Sequence, residues 1–104
     1  KQWIAGALTP RGTISVDAGA ALALRKGKSL LPAGVLAVEG QFDSGDLIAV
    51  EDQAGNVIGH GLSSYAARDA AKIKGHKSRE IETMLGYPGR DEMIHADNLV
   101  VVDS

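Results

Sequence analysis

The segment of residues 12–38 constrains the fold of this chain more than any other, because it predicts consecutive elements with clear boundaries. Residues 13–16 alternate and are rich in β-branched side chains, which is typical of a short strand. Asp17 is suited to cap the following helix, since its carboxylate can accept from free backbone N–H groups. Residues 18–26 are rich in alanine and leucine, which favour a helix. Gly27 follows where a positive φ favours glycine, so the helix should end there.

The rest of the chain predicts further short strands and two weaker helices. The apolar run at residues 35–38 predicts a buried strand. The other expected elements are a hairpin of residues 47–50 and 57–62, helices at 66–74 and 79–85 with Ser78 as the cap of the latter, and a last strand at 99–102. This pattern predicts an α+β domain, mainly β, with a small closed or nearly closed sheet and helices over its ends.

Composition limits the classes of function that are open to these 104 residues. The sequence contains no cysteine, which excludes disulfides and thiolate metal sites and fits a cytoplasmic location. No apolar run approaches the roughly 20 residues of a membrane span, so we expect no membrane partner. The formal net charge is −2, although basic and acidic residues occur in separate blocks that can form local patches.

Gly27, Lys28 and Ser29 resemble part of a phosphate-binding loop, but the context is wrong for a nucleotide site. Such a loop needs a glycine five positions before its Gly-Lys pair, and Leu22 stands there. It must also follow a strand and begin a helix, whereas this tripeptide ends one.

The remaining polar residues offer no convincing catalytic or metal site. His60, His76 and His95 lack the short spacing of ligand pairs, and they are more typical of surface or satisfied core histidines. An acid–base group of Asp91, Glu92 and Asp97 around His95 is conceivable, but such carboxylates are usually solvated or cap a turn. Ser63 and Ser64 lack the context of a nucleophile elbow. We therefore expect no catalysis from these residues alone.

The basic turn at residues 25–29 is the better candidate for binding. Arg25, Lys26 and Lys28 place three cations over four positions, with free amides that could contact phosphates. Lys72, Lys74, Lys77 and Arg79 could extend this surface. The alternative is that these cations only complement the helix dipole.

An ordered set of motifs resembles the PUA domain, the module named for pseudouridine synthase and archaeosine transglycosylase. The resemblance lies in residues 15–20, 27–35, 42–46 and 55–61. It looks specifically like the PUA domain at the C-terminus of bacterial glutamate 5-kinases, through the additional segments 3–6, 61–65, 78–82, 85–87 and 94–100. One departure is Ala66, where that family tends to carry a helix-capping serine.

The resemblance implies a pseudo-barrel of five to six mixed short strands with about three flanking helices. Residues 1–8 would be the lead-in from an upstream amino-acid-kinase domain, and residues 9–104 the PUA domain. The parent would be a cytoplasmic homo-oligomer that uses ATP and Mg²⁺ to phosphorylate L-glutamate, the first step of proline biosynthesis. The fragment itself would need no cofactor and would act as an accessory or regulatory domain.

The alternative implied by the resemblance is RNA binding. Other PUA domains bind RNA beside the first helix and the following strand. In this sequence that place corresponds to a set of basic and turn residues, namely Arg25, Lys26, Lys28, Ser29, Leu31, Pro32 and Gly34.

Overall fold

A five-stranded mixed sheet forms the centre of the computed structural model, which describes residues 9–102. The strands are β1 Gly12–Val16, β2 Val35–Gly40, β3 Leu47–Glu51, β4 Val57–Leu62 and β5 Leu99–Val101. Their order is β2-β1-β3-β4-β5, with β1 and β3 parallel and the other neighbours antiparallel. The predicted α+β, mainly β class is therefore confirmed. The predicted lead-in, residues 1–8, lies outside the described residues.

Three short helices pack against this sheet: α1 Ala18–Arg25, α2 Ala67–Ile73 and α3 Ile81–Leu85. The local signals predicted for α1 are confirmed. The N–H of Ala20 donates to Asp17 Oδ1 over 2.7 Å, and Gly27 has φ +86° just beyond the helix. None of the described helices is long and apolar enough to cross a membrane.

The core forms where the helices cover the sheet. Ile14 and Val16 of β1 are fully buried, as the predicted alternation requires. The helices add buried side chains on one face each: Ala21 and Leu24 from α1, Ala70 and Ile73 from α2, and Ile81 from α3. Burial of such apolar surface is the main driving force for folding.

The prediction that residues 35–38 form a buried strand is wrong in one respect. Only Val35 of β2 is buried, and Leu36 is 47% exposed. The reason is topological, because β2 pairs with β1 alone and lies at the edge of the sheet. A short apolar run cannot distinguish an edge strand from a central one.

The predicted cap of the third helix is also wrong. Ser78 does not cap; its hydroxyl donates to the carbonyl of Asp91 over 2.8 Å. A 3₁₀ turn, Ser78–Glu80, precedes α3, and the Glu80 carboxylate accepts from the N–H of Lys77 over 3.0 Å. The glutamate thus satisfies the free donor, and the serine joins this turn to the segment before β5.

The glycines of β4 allow β5 to approach closely, which is a common role of glycine inside a strand. A Cβ at Gly59 would lie 2.7 Å from the carbonyl oxygen of Val100, and one at Gly61 would lie 2.9 Å from that of Asn98. Both glycines are buried, so larger residues would separate the two strands.

Candidate binding groove

A groove of about 400 Å³ lies between α1 and the 3₁₀ turn Pro32–Gly34. We call it the α1 groove. The residues that line it come from the start of α1 and from the turn that follows the helix: Asp17, Gly19, Ala20, Ala23, Lys28, Ser29, Leu31, Ala33 and Gly34. Most of these side chains are small or apolar, so the walls of the groove consist largely of backbone and methyl groups.

The floor of the α1 groove depends on a close contact between Gly34 and the helix. A Cβ at Gly34 would lie 2.5 Å from the Cβ of Ala20, so glycine is required for this approach. The N–H of Asp17 donates to the carbonyl of Gly34 over 3.0 Å. The first turn of α1 and the 3₁₀ turn are therefore held together by one hydrogen bond and by direct packing.

The far end of the groove is fixed by the segment before β5. The N–H of Lys28 donates to the carbonyl of Ala23, which closes the turn after α1. The N–H of Ala96 donates to Ser29 Oγ over 2.8 Å, and Leu30 forms a bridge with Ile94. These contacts give the groove a preformed shape, which lowers the entropic cost of binding.

The structure brings together four of the seven residues that the resemblance assigned to RNA. Lys28, Ser29, Leu31 and Gly34 line the α1 groove. The RNA-binding role of these residues stays a prediction.

The other three predicted residues have different surroundings. Pro32 is almost fully buried, and its carbonyl accepts from the N–H of Gly75 over 2.7 Å. Arg25 lines a separate cavity with Asp52 at the turn of the β3–β4 hairpin. Lys26 is exposed and lines neither cavity.

Sequence reasoning missed five residues of the groove wall: Asp17, Gly19, Ala20, Ala23 and Ala33. A signal for three of them was present, since Gly19, Ala20 and Ala23 follow helical spacing on one side of α1. Small residues at this spacing indicate either close packing or an open groove. Only the position of the 3₁₀ turn distinguishes the two.

The charge of the α1 groove is balanced, because Lys28 and Asp17 are the only ionisable residues between positions 9 and 102 that line it. No aromatic side chain in residues 9–102 lines it. Phe42 and Tyr65 are in the core, and the hydroxyl of Tyr87 donates to Asp69 Oδ2 over 2.6 Å on α2. RNA binding usually depends on phosphate contacts and base stacking, and the α1 groove therefore offers few side chains for either.

Two of the residues weighed as catalytic, His95 and Ser63, have structural partners. His95 Nδ1 accepts from the N–H of Asp97 over 3.0 Å, and this contact caps a 3₁₀ turn before β5. Ser63 Oγ accepts from the N–H of Tyr65 and donates to the same residue's carbonyl. Within residues 9–102 there is no group of three or more histidine, cysteine, aspartate or glutamate residues that could hold a metal ion.

Two tyrosines titrate away from their ordinary value, and both shifts have structural causes. Burial raises the pKa of Tyr65 above 10.0, although its hydroxyl donates to the carbonyl of Arg90. The hydrogen bond to Asp69 raises the pKa of Tyr87. Neither group faces the α1 groove, so neither shift indicates acid–base chemistry there.

Two close relatives are among the many proteins found by comparison with known sequences. The chain is 57% identical over 101 residues to glutamate 5-kinase of Rhodopseudomonas palustris (strain TIE-1), which covers 97% of this chain and 27% of the relative. It is 57% identical over 103 residues to glutamate 5-kinase of Allorhizobium ampelinum, covering 99% of this chain and 26% of the relative. The chain thus spans about a quarter of the length of the curated relatives it matches.

Structural and family comparisons agree on the fold. A PUA domain from Aeropyrum pernix K1, solved as a tartrate complex, superposes with a TM-score of 0.59 at 28% identity, over 82% of this chain and 42% of that one. The profile of the PUA domain family matches residues 12–85, which include β1 to β4 and all three helices. The chain therefore belongs to the PUA domain family.

Proposed function

We propose that this chain is the C-terminal accessory and regulatory domain of a glutamate 5-kinase. The observation that carries the proposal is the 57% identity across nearly the whole chain to enzymes of that name. In this proposal the parent is a cytoplasmic homo-oligomer that transfers the γ-phosphoryl group of ATP to the side-chain carboxylate of L-glutamate. This reaction is the first step of proline biosynthesis.

The residues described here do not fit a site for ATP and Mg²⁺. Gly27, Lys28 and Ser29 follow the end of α1 instead of opening a helix, so their amides are not arranged as in a phosphate-binding loop. No carboxylate cluster suited to a metal ion occurs in residues 9–102. In this proposal the ATP, Mg²⁺ and glutamate sites lie in the amino-acid-kinase domain of the same chain, and the PUA domain acts by contact.

The experiment compares the full-length enzyme with a truncated form that ends before residue 1. Glutamate-dependent ATP consumption, inhibition by proline, dependence on Mg²⁺ and molar mass are measured for both. We expect both forms to phosphorylate glutamate and the truncated form to differ in at least one of the other three properties. Identical values in all three would refute the regulatory role, and a full-length protein inactive on glutamate would refute the kinase assignment.

A second candidate is RNA binding at the α1 groove, favoured by the convergence of Lys28, Ser29, Leu31 and Gly34 on one cavity. The test is binding of a structured RNA by the full-length protein over a series of salt concentrations. If phosphate contacts hold the RNA, affinity should fall steeply with salt, and Lys28→Glu should weaken it more than Arg25→Glu, whose side chain faces another cavity. No binding at low salt would exclude this candidate.

A further inference from the structure

Two neighbouring clefts share Arg11 and Asp46 and have no residue in common with the α1 groove. The larger, of about 570 Å³, is also lined by Thr9, Pro10, Leu47 and Leu62. The smaller, of about 340 Å³, is also lined by Gln41 and Arg68. We call the surface formed by both clefts the docking face.

The backbone of the docking face is held by a dense set of hydrogen bonds. The N–H of Asp43 donates to Asp46 Oδ2 over 2.8 Å, and the N–H of Asp46 donates to the carbonyl of Asp43. The N–H of Ser63 donates to the carbonyl of Asp46, and the N–H of Arg11 donates to the carbonyl of Leu47 over 2.8 Å. A surface fixed in this way loses little entropy when a partner binds.

The docking face carries Arg11 and Arg68 beside the carboxylates of Asp43 and Asp46, and no ion pair joins these groups in the described part of the chain. Arg11 and Arg68 are exposed, and the ion pairs found between residues 9 and 102 involve only His76 and His95. A guanidinium group is suited to bidentate contact with a carboxylate. The clefts also contain apolar surface from Leu47 and Leu62, so the face fits a folded partner that offers carboxylates beside apolar side chains.

The first residues that the structure describes lie at this face. Thr9 and Pro10 line the larger cleft, so any polypeptide that precedes them arrives beside it. Proline fixes its own φ and favours an extended conformation in the residue before it. Eight residues precede Thr9 in the sequence, and a fully extended segment of that length spans at most about 28 Å. A domain attached through residues 1–8 therefore lies within reach of the docking face.

We propose that the docking face seats the upstream kinase domain of the same polypeptide, whose carboxylates pair with Arg11 and Arg68. The proposal rests on the proposed function, which supplies a large domain before residue 1, since this chain covers 27% of a related kinase. The partner is a structured surface on that domain that offers carboxylates to the two arginines beside apolar side chains. A second copy of the PUA domain and the RNA backbone are the competing occupants.

The test uses the full-length enzyme and the double variant Arg11→Glu with Arg68→Glu. The matched control is Arg79→Glu with Arg90→Glu, which changes the charge equally at exposed arginines that line neither cleft. Two readouts are measured: the radius of gyration from X-ray scattering, and the initial rate of chymotrypsin cleavage after Trp3, which releases the domain. We expect the Arg11/Arg68 variant to be more extended and to be cleaved about fivefold faster, because repulsion replaces two charge pairs, while the control behaves as wild type.

A second variant tests whether a change at the docking face that leaves the charge unaltered has the same effect. Gln41→Trp adds an aromatic ring to the exposed rim of the smaller cleft without a change of charge, and it should also extend the protein and speed cleavage. Wild-type values for both cleft variants would overturn the proposal. The molar mass and the RNA binding of the Arg11/Arg68 variant are measured as controls, and a change confined to either of them would equally overturn the proposal. Neither the radius of gyration nor the cleavage rate requires catalysis. A parent protein that is inactive on glutamate would therefore refute the proposed function without changing the result of the docking experiment.

Discussion

Adding one methyl group at Gly34 should separate α1 from the 3₁₀ turn and thereby deform the α1 groove. The new Cβ would lie 2.5 Å from the Cβ of Ala20, a distance that real Cβ contacts essentially never show. Gly34 does not have a positive φ, so alanine meets no backbone strain there. The predicted effect of Gly34→Ala is therefore purely one of packing.

The magnitude follows from two opposing contributions. Overpacking a tight contact costs about 1–3 kcal/mol. Replacing glycine by alanine where the backbone permits it stabilises by about 0.4–1 kcal/mol, through the lower entropy of the unfolded chain. We therefore expect Gly34→Ala to lower the free energy of unfolding by about 1–2 kcal/mol.

A double-mutant cycle with Ala20 isolates the clash. Ala20→Gly alone should cost about 0.5–1 kcal/mol, because glycine is a poor helix former. In the double variant the methyl group has only moved across the contact, so the stability should return to within about 1 kcal/mol of wild type. The coupling energy should then be about 1–3 kcal/mol.

The assay is urea unfolding followed by circular dichroism, with Gly19→Ala as the matched control. Gly19 lines the same groove, but a Cβ there would meet only Asp17 Oδ1 at 3.5 Å, an ordinary contact. Gly19→Ala should therefore stabilise the domain by about 0.5–1 kcal/mol. Additive effects of Gly34→Ala and Ala20→Gly, within about 0.5 kcal/mol, would refute the packing argument.

Three further substitutions test local features. Ala66 caps α2 without a side-chain hydrogen bond, so Ala66→Ser should raise the free energy of unfolding by about 1 kcal/mol, measured in the same urea assay. The N–H of Asn56 donates to the Asp52 carboxylate and holds the pKa of Asp52 below 3.8. That stabilisation is present above pH 3.8 and is lost as pH falls through the lower folded-state value, so the advantage of wild type over Asp52→Asn should shrink in acid; a constant difference would contradict this. The bond to Asp69 raises the pKa of Tyr87, and its stabilisation is present below pH 10.0 and lost as pH rises through the folded-state value. Asp69→Asn should therefore lower the midpoint of tyrosine ionisation followed by ultraviolet absorbance, and an unchanged midpoint would contradict the assignment.

Local chemistry accounts for the elements that sequence reasoning predicted correctly. The carboxylate of Asp17 and the positive φ of Gly27 define both ends of α1, and neither depends on distant contacts. The β3–β4 hairpin likewise follows from two apolar runs joined by a glycine-containing turn. These signals act within a few residues, so one sequence is enough to read them.

The features that sequence reasoning missed are set by residues that are far apart in the chain. Leu36 is exposed because β2 has a neighbour on one side only, and that order is a property of the whole sheet. Ser78 donates to Asp91, a contact across 13 positions, although its local context suggested a helix cap. Pro32 is buried beneath the end of α2, where its carbonyl accepts from Gly75. Periodicity and capping rules carry no information about such contacts.

The end of α1 explains why the three cations of the basic turn do not line one cavity. Successive residues of an α-helix point in directions about 100° apart, so Arg25 faces the hairpin turn near Asp52, whereas Lys28 follows the helix and lines the groove. Among the residues that the structure describes, Lys28 is the one cation in the lining of the groove, and Asp17 balances it. A small ligand confined to the α1 groove must therefore gain affinity mainly from apolar burial and hydrogen bonds, and its binding should change little with salt. Steep salt dependence would instead indicate a longer anionic ligand such as RNA, which also contacts cations beside the groove, because the release of counterions scales with the number of phosphates neutralised.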